Sequence, residues 1–225
     1  MSEARERILS GIRSSLGRGR VDANTESELR ARVAAHHRNP VPARAVALDH
    51  RAQVDLFVTM VEEVQATVTR VSSLAAVPEA VARYLAAENL PAELVMAPDS
   101  SLDSIPWPDR PLLHIRRGRA EANDKVGLTS CHAAVAETGS LMLASGPQTP
   151  TTLNFLPDTH IVLVHARQVV ATYEDGWDRL RDCGISEALP RTINFVTGPS
   201  RTADIEQHIE LGAHGPRRLH IVLVE

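Results

Sequence analysis

His160-Ile161-Val162-Leu163-Val164 is a run of four aliphatic residues behind one histidine. A run this short and this rich in Val, Ile and Leu reads as a strand buried on both faces. Runs of the same kind lie on either side of it. TVTRV at 67–71, ELVMA at 93–97, LLHI at 112–115 and SLMLA at 140–144 precede it, and TINFV at 192–196 and LHIVLV at 219–224 follow. Helical patterns separate several of these runs. One at about 50–65 carries Val54, Phe57, Met60, Val61 and Val64, and others cover 77–88 and about 172–183. Strand–helix alternation predicts an α/β fold, with helices on both sides of a sheet. Segment 126–144 breaks the alternation. VGLTS and AAVAETGSLMLAS, with Gly139 at a tight turn, read as a hairpin inserted between the α/β units.

The first 49 residues read as a separate helical arm and linker, ahead of one α/β domain over 50–225. Ile8, Ile12 and Leu16 form a stripe on a predicted helix at 2–16, with Glu3 and Glu6 in its first turn. GRGRVDANT at 17–25 reads as a linker. Thr25 and Glu28 have capping-box spacing for a second helix at 26–38. Prolines extend the stretch 39–49. Residues 1–50 carry nine arginines against six acids, whereas the remainder is acidic. The arm therefore has the charge to pack on an acidic body or partner.

Composition excludes several functions. The chain has 225 residues and a net charge of −4, and only 3% of it is aromatic. Nucleic-acid binding through basic patches or base stacking is disfavoured. No apolar run reaches the roughly 18–20 residues that cross a bilayer. The opening MSEARERILSGIRS lacks an apolar signal core, so a cytoplasmic protein is expected. The single lysine, Lys125, stands in AEANDKVG and not after a glycine-rich loop, which excludes a P-loop. Cys131 and Cys183 are too few and too far apart for an iron–sulfur or cysteine–zinc site, and free thiols are expected. No local metal-binding spacing, GxGxxG or GxSxG occurs.

Three segments could carry chemistry. In AVAETGSL at 134–141, Glu137 stands between apolar runs beside Thr138 and Gly139. It either caps backbone N–H groups or acts as an acid, base or nucleophile. In TGPSRTADIE at 197–206, the loop follows an apolar run. Placed at the carboxyl edge of a sheet, Thr197, Gly198, Ser200, Arg201, Thr202 and Asp204 could hold an anionic group. The alternative is a turn capping a short helix, with Arg201 paired to Asp204 or Glu206. In GAHGPR at 212–217, glycines flank His214 and leave it open to solvent and to proton exchange. His114, His160 and His220 fall in strand-like runs and read as core-edge residues.

AVAETGSLMLASG, LPDTHIVLV at 156–164 and VTGPSRTADIEQHIELGAHGPRRLHIVLV at 196–224 together resemble the lactate-utilisation protein C family, which belongs to the LUD-domain group. The resemblance runs from about residue 50 to residue 225. The arm is similar to a helical extension that some members carry. The resemblance implies a three-layer α/β/α sandwich like the ribose-5-phosphate isomerase and CoA-transferase superfamily. It also implies a non-redox component of a system that oxidises L-lactate to pyruvate. The cofactors, iron–sulfur clusters, would then lie in partner proteins, and this chain would bind a small anionic ligand. In that picture Arg201 and the loop amides hold the anion, and Glu137 or His214 handles a proton. A second reading is a free-standing enzyme for an acyl or phosphorylated substrate. Glu137-Thr138-Gly139 is similar to the glutamate turn of CoA transferases, which would make Glu137 the nucleophile. A third is an interaction module docked through the arm. Self-association and the activity of the isolated chain stay open.

Overall fold

The computed structural model describes residues 3–17, 19, 21–38, 40–182, 190–205 and 208–225. The chain divides into two compact units, residues 1–39 and 40–225. The first contains α1 (Glu3–Ser15) and α2 (Ala23–Ala35). Ile8, Ile12 and Leu16 on the α1 side of this unit are exposed. The expected cap at Thr25 is replaced by Asp22. Its carboxylate accepts the Thr25 N–H at 2.9 Å and the Thr25 hydroxyl at 2.7 Å, so α2 starts three residues early. A carboxylate is favoured there because it faces the positive end of the helix.

The second unit opens with α3 (Ala43–Val46), whose Ala45 is fully buried. Segment 40–49, read in the sequence as part of the linker, thus belongs to this unit. Then come α4 (His50–Glu63), capped by Asp49, β1 (Thr67–Val71), α5 (Val77–Ala87), β2 (Glu93–Met96), β3 (His114–Arg117) and β4 (Val126–Ser130). A hairpin of β5 (Ala133–Val135) and β6 (Ser140–Ala144) follows, then α6 (Thr152–Phe155) and β7 (Thr159–His165). The chain ends through β8 (Val169–Val170), α7 (Tyr173–Asp182), β9 (Ile193–Val196), β10 (Arg201–Ile205), β11 (His208–Leu211) and β12 (Arg218–Val224).

Six strands form one parallel sheet in the order β1-β12-β7-β4-β2-β3. Its two faces bury different cores. On one face, Val77, Val81 and Leu85 of α5 pack against Met96, Leu128, Ile161, Leu163 and Val222. On the other, Val54, Phe57 and Val61 of α4 pack with Val162, Val164, Ile221 and Leu223. The fold is therefore mixed α/β, with a parallel sheet flanked by helices.

Three expectations change. VGLTS is not part of the inserted hairpin: it is β4, an interior strand of the parallel sheet between β2 and β7. TINFV supplies β9, which pairs antiparallel with β6 in a second sheet ordered β8-β5-β6-β9. The third run, LLHI, is displaced to His114–Arg117, because β3 is an edge strand with one neighbour and tolerates charge on its open side. The small sheet has an inner face of Ala134, Ala136, Leu141 and Leu143, which joins the α4 core. Its outer face, Ala133 and Met142, lies under Leu180 of α7.

Candidate functional site

The hairpin turn and the loop after β9 meet at α4. Gly139 has φ +66°, and a Cβ there would stand 2.6 Å from the Val61 amide nitrogen. Gly198 has φ +82°, and a Cβ there would stand 2.7 Å from the Val64 carbonyl oxygen. Both positions need the left-handed backbone and the bare Cα of glycine. The Arg201 guanidinium also donates to the Val64 carbonyl. Two of the three segments singled out in the sequence are thus fastened to the end of one helix.

Glu137 follows β5 and is 5% exposed. Its N–H donates to Ala171 O at 3.1 Å, and its carbonyl accepts the Arg44 guanidinium. Its carboxylate accepts the Tyr173 N–H at 3.0 Å, at the first residue of α7. Thr172 completes the cap: its hydroxyl accepts the Asp175 N–H at 3.3 Å, while Asp175 accepts both the N–H and the hydroxyl of Thr172. Glu137 therefore caps a backbone donor, but of α7 and not of its own hairpin. Its negative charge sits at the positive end of that helix.

Beside this cap, four hydroxyls converge from three separate segments. Ser140 Oγ lies 2.8 Å from Thr138 Oγ1, 2.7 Å from the Tyr173 hydroxyl and 2.5 Å from Thr197 Oγ1. Thr138 Oγ1 and the Tyr173 hydroxyl are 2.9 Å apart. Ser140 is fully buried, Thr138 and Tyr173 are half-buried, and Thr197 is exposed, so the cluster runs from the interior to solvent. Four hydroxyls bring four donors and a surplus of lone pairs, so the group can both donate to and accept from a small polar molecule. Phe195 borders it, with its ring edge-on to Tyr173 at 5.1 Å and to Trp177 at 5.6 Å.

The remaining predicted residues take these places. Ser200 donates its N–H to Pro216 O at 2.8 Å and accepts the Gly212 N–H at 2.9 Å, which ties the 197–200 loop to the 212–216 loop. His214 is exposed, and its backbone N–H donates to Ser200 Oγ at 3.2 Å. Arg201 and Thr202 open β10, the first strand of a hairpin and not the short helix considered above. Among the described residues, the partner of Arg201 is the Val64 carbonyl. The side chains of Asp204 and Glu206, and Cys183, lie outside the described residues. Because β9 belongs to the small mixed sheet, this loop is not at the carboxyl edge of the parallel sheet. The structure joins Thr138 to Thr197, places Glu137 under Tyr173, and directs Arg201 to α4 and His214 to Ser200.

Sequence reading missed Tyr173 and Ser140 as members of this group. A signal existed for Ser140, which adjoins Thr138-Gly139. Tyr173 carries none, because only the return of the chain through α7 brings it there. Cys131 is buried, and burial pushes its thiol up to about 12, so it is an inert core thiol. Lys125 pairs with Asp158 at 3.2 Å in solvent. Among the described residues no group of three or more His, Cys, Asp and Glu side chains could hold a metal ion, and no helix is long and apolar enough to cross a membrane.

Residues 54–224 match the family model of the LUD domain. The chain belongs to the LUD domain family. It is 36% identical over 115 residues to a lactate utilization protein C of Deinococcus radiodurans, covering 51% of each chain. It is 33% identical over 100 residues to a lactate utilization protein C of Bacillus subtilis, covering 44% of this chain and 42% of that one. An uncharacterized protein of Neisseria meningitidis is 31% identical over 102 residues, covering 45% of this chain and 43% of the other. These alignments span about half the length of the curated relatives. Among solved structures, a DUF162 family protein from Deinococcus radiodurans superposes with a TM-score of 0.60 at 25% identity, covering 79% of this LUD-domain chain and 99% of that one.

Proposed function

We propose that this LUD-domain protein is a non-redox component of a lactate-utilisation system, working with iron–sulfur proteins that oxidise L-lactate to pyruvate. The names of its relatives support lactate as the pathway, and the polarity of the hydroxyl cluster suits a small hydroxy acid. The carrying observation is the convergence of Thr138, Ser140, Tyr173 and Thr197 from three segments onto shared hydrogen bonds. In this reading the exposed Thr197 hydroxyl meets the ligand first. Ser140 and Tyr173 then donate to its carboxylate, while Glu137 holds Tyr173 in place through the Tyr173 N–H. Arg44 and Arg201, each donating to a backbone carbonyl, add positive potential near the cluster. The chain itself would bring no cofactor; electrons would pass through the partners.

The alternative of an acyl- or phosphoryl-transfer enzyme with Glu137 as nucleophile is not favoured, because that carboxylate is buried and already accepts a helix N–H. Titration calorimetry with L-lactate and pyruvate tests the site. Lactate should bind, and Thr197→Val should weaken it by up to about tenfold, the worth of one hydrogen bond. Equal binding by the valine variant, or none by the parent, would reject the site. Deleting the coding sequence from its host should stop growth on L-lactate and leave growth on pyruvate intact; unimpaired growth on lactate would reject the role.

A further inference from the structure

β3 is an outer strand of the parallel sheet, with β2 as its one neighbour. The His114 N–H donates to Ala92 O at 2.8 Å and the Gly118 N–H to Met96 O at 3.0 Å, so the even-numbered residues bond β2. Strand alternation then turns the N–H and C=O groups of Ile115 and Arg117 outward, where among the described residues no strand takes them. Monomeric proteins guard such edges with repelling charge. Here the charge is neutralised within the chain, because Arg117 pairs with Asp103 and Arg116 with Asp124. The segment that leads into β3 is apolar as well. Leu112 is 82% exposed, more than any other large apolar residue among the described ones. It borders an apolar cavity of about 340 Å³ between this segment and Leu85 and Ala86 of α5. An open backbone edge and an apolar patch thus adjoin.

The two faces of this edge differ. Ile115 packs on the α5 core, while His114 and Arg116 alternate to the other face. There, with Glu93 of β2 directly beside His114, they line a polar cavity of about 360 Å³. Glu93 is exposed, and among the described residues no cation pairs with it. A second copy of the chain fits these features. A two-fold axis sets two copies of β3 antiparallel, and outward groups must meet outward groups. An axis centred on Arg116 or Arg117 would set arginine against its own copy, which is unfavourable. An axis centred on Ile115 pairs Ile115 with Ile115 and His114 with Arg116, and it sets Leu112 against the small Gly118. It also brings Arg116 of the partner subunit to the side of His114 away from Glu93. Two strand spacings, about 10 Å, then separate the backbones of Glu93 and that arginine, within reach of the two long side chains. The unpaired carboxylate gains a cation that its own chain does not supply.

We propose that β3 is a homodimer interface, at which two copies of the chain join edge to edge, antiparallel about Ile115, into one continuous sheet. This interface is independent of the lactate reading. Sedimentation equilibrium of the full chain tests it. The chain should be dimeric at about 100 µM and dissociate on dilution. Arg117→Pro removes one outward N–H, a change that an edge strand tolerates, and should weaken the dimer by about tenfold or more. Leu112→Asp should weaken it by a similar factor. Glu93→Arg, which adds a cation beside His114 and Arg116, should weaken it severalfold. Thermal melts at dilutions where the parent is monomeric check that each variant folds. Ile12→Asp, in the exposed stripe of α1, should dimerise like the parent. The proposal is overturned if the parent is monomeric at about 100 µM, if the three edge variants dimerise like the parent, or if Ile12→Asp abolishes the dimer.

Discussion

At Gly139 and Gly198 the backbone adopts φ values of +66° and +82°, each pressed against the last turn of α4. An alanine at either position meets two costs: a left-handed conformation that a Cβ disfavours, and an overlap with backbone atoms that cannot rotate away. Gly139→Ala and Gly198→Ala should each cost about 2 kcal/mol or more, lowering Tm by roughly 5 °C. Gly11 is the control. A Cβ there meets nothing within 4 Å in α1, so Gly11→Ala should leave Tm unchanged or slightly raised. Differential scanning calorimetry of the three variants decides it; a Gly139→Ala protein that melts with the parent would remove the close approach to α4. Gly139 could be placed in a tight turn from sequence because apolar runs flank it. Gly198 reads in sequence as part of an amide-lined loop. Its packing against Val64, more than 130 residues earlier, depends on a contact that no local pattern encodes.

The α7 N-terminus shows how one element shapes the candidate site. Glu137 satisfies the Tyr173 N–H, Thr172 and Asp175 satisfy one another, and the result fixes the Tyr173 ring over Thr138 and Ser140. Glu137→Gln keeps an acceptor oxygen and should change stability by less than about 1 kcal/mol, whereas Glu137→Ala leaves the N–H unpaired and should cost about 1–2 kcal/mol. Urea denaturation of the pair separates these outcomes; equal losses would mean that charge, and not the hydrogen bond, holds the cap. Most elements of this unit were legible because short apolar runs and 3.6-residue stripes distinguish strands from helices. Their partners were less so. VGLTS and TINFV have similar composition, yet one lies inside the parallel sheet and the other joins β6 in an antiparallel pair. β4 is buried while β9 is only partly so, with Phe195 exposed, yet both runs are short and aliphatic, so the run alone cannot assign the neighbour. β3 slid for the opposite reason: an edge strand has little burial to advertise its limits.

Across the whole molecule, the parallel sheet carries two histidines through its centre on opposite faces. His160 is 0% and His220 2% exposed, deeper than the core-edge position their sequence context suggests. Each has one partner at 2.8 Å, Thr129 for His160 and Thr67 for His220, and Tyr84 stacks on His220 at 3.8 Å. Burial lowers His160 from 6.5 to about 3 and His220 from 6.5 to about 4. Burial, with nearby arginines, moves His132 and His165 the same way. The folded protein therefore keeps these rings neutral, while the unfolded chain takes up protons once the pH drops below about 6.5. Stability should be level above that pH and fall below it, until the folded rings themselves protonate near pH 4 and 3. Each ring contributes about 1.4 kcal/mol per pH unit in this window, so His160 and His220 together should remove roughly 4 kcal/mol between pH 7.5 and 5. Urea midpoints measured at pH 7.5, 6 and 5 give the slope. His160→Gln and His220→Gln, whatever they do to absolute stability, should each flatten that slope by a comparable share, because a glutamine cannot take up the proton. A slope unchanged in both variants would place the acid sensitivity outside the sheet.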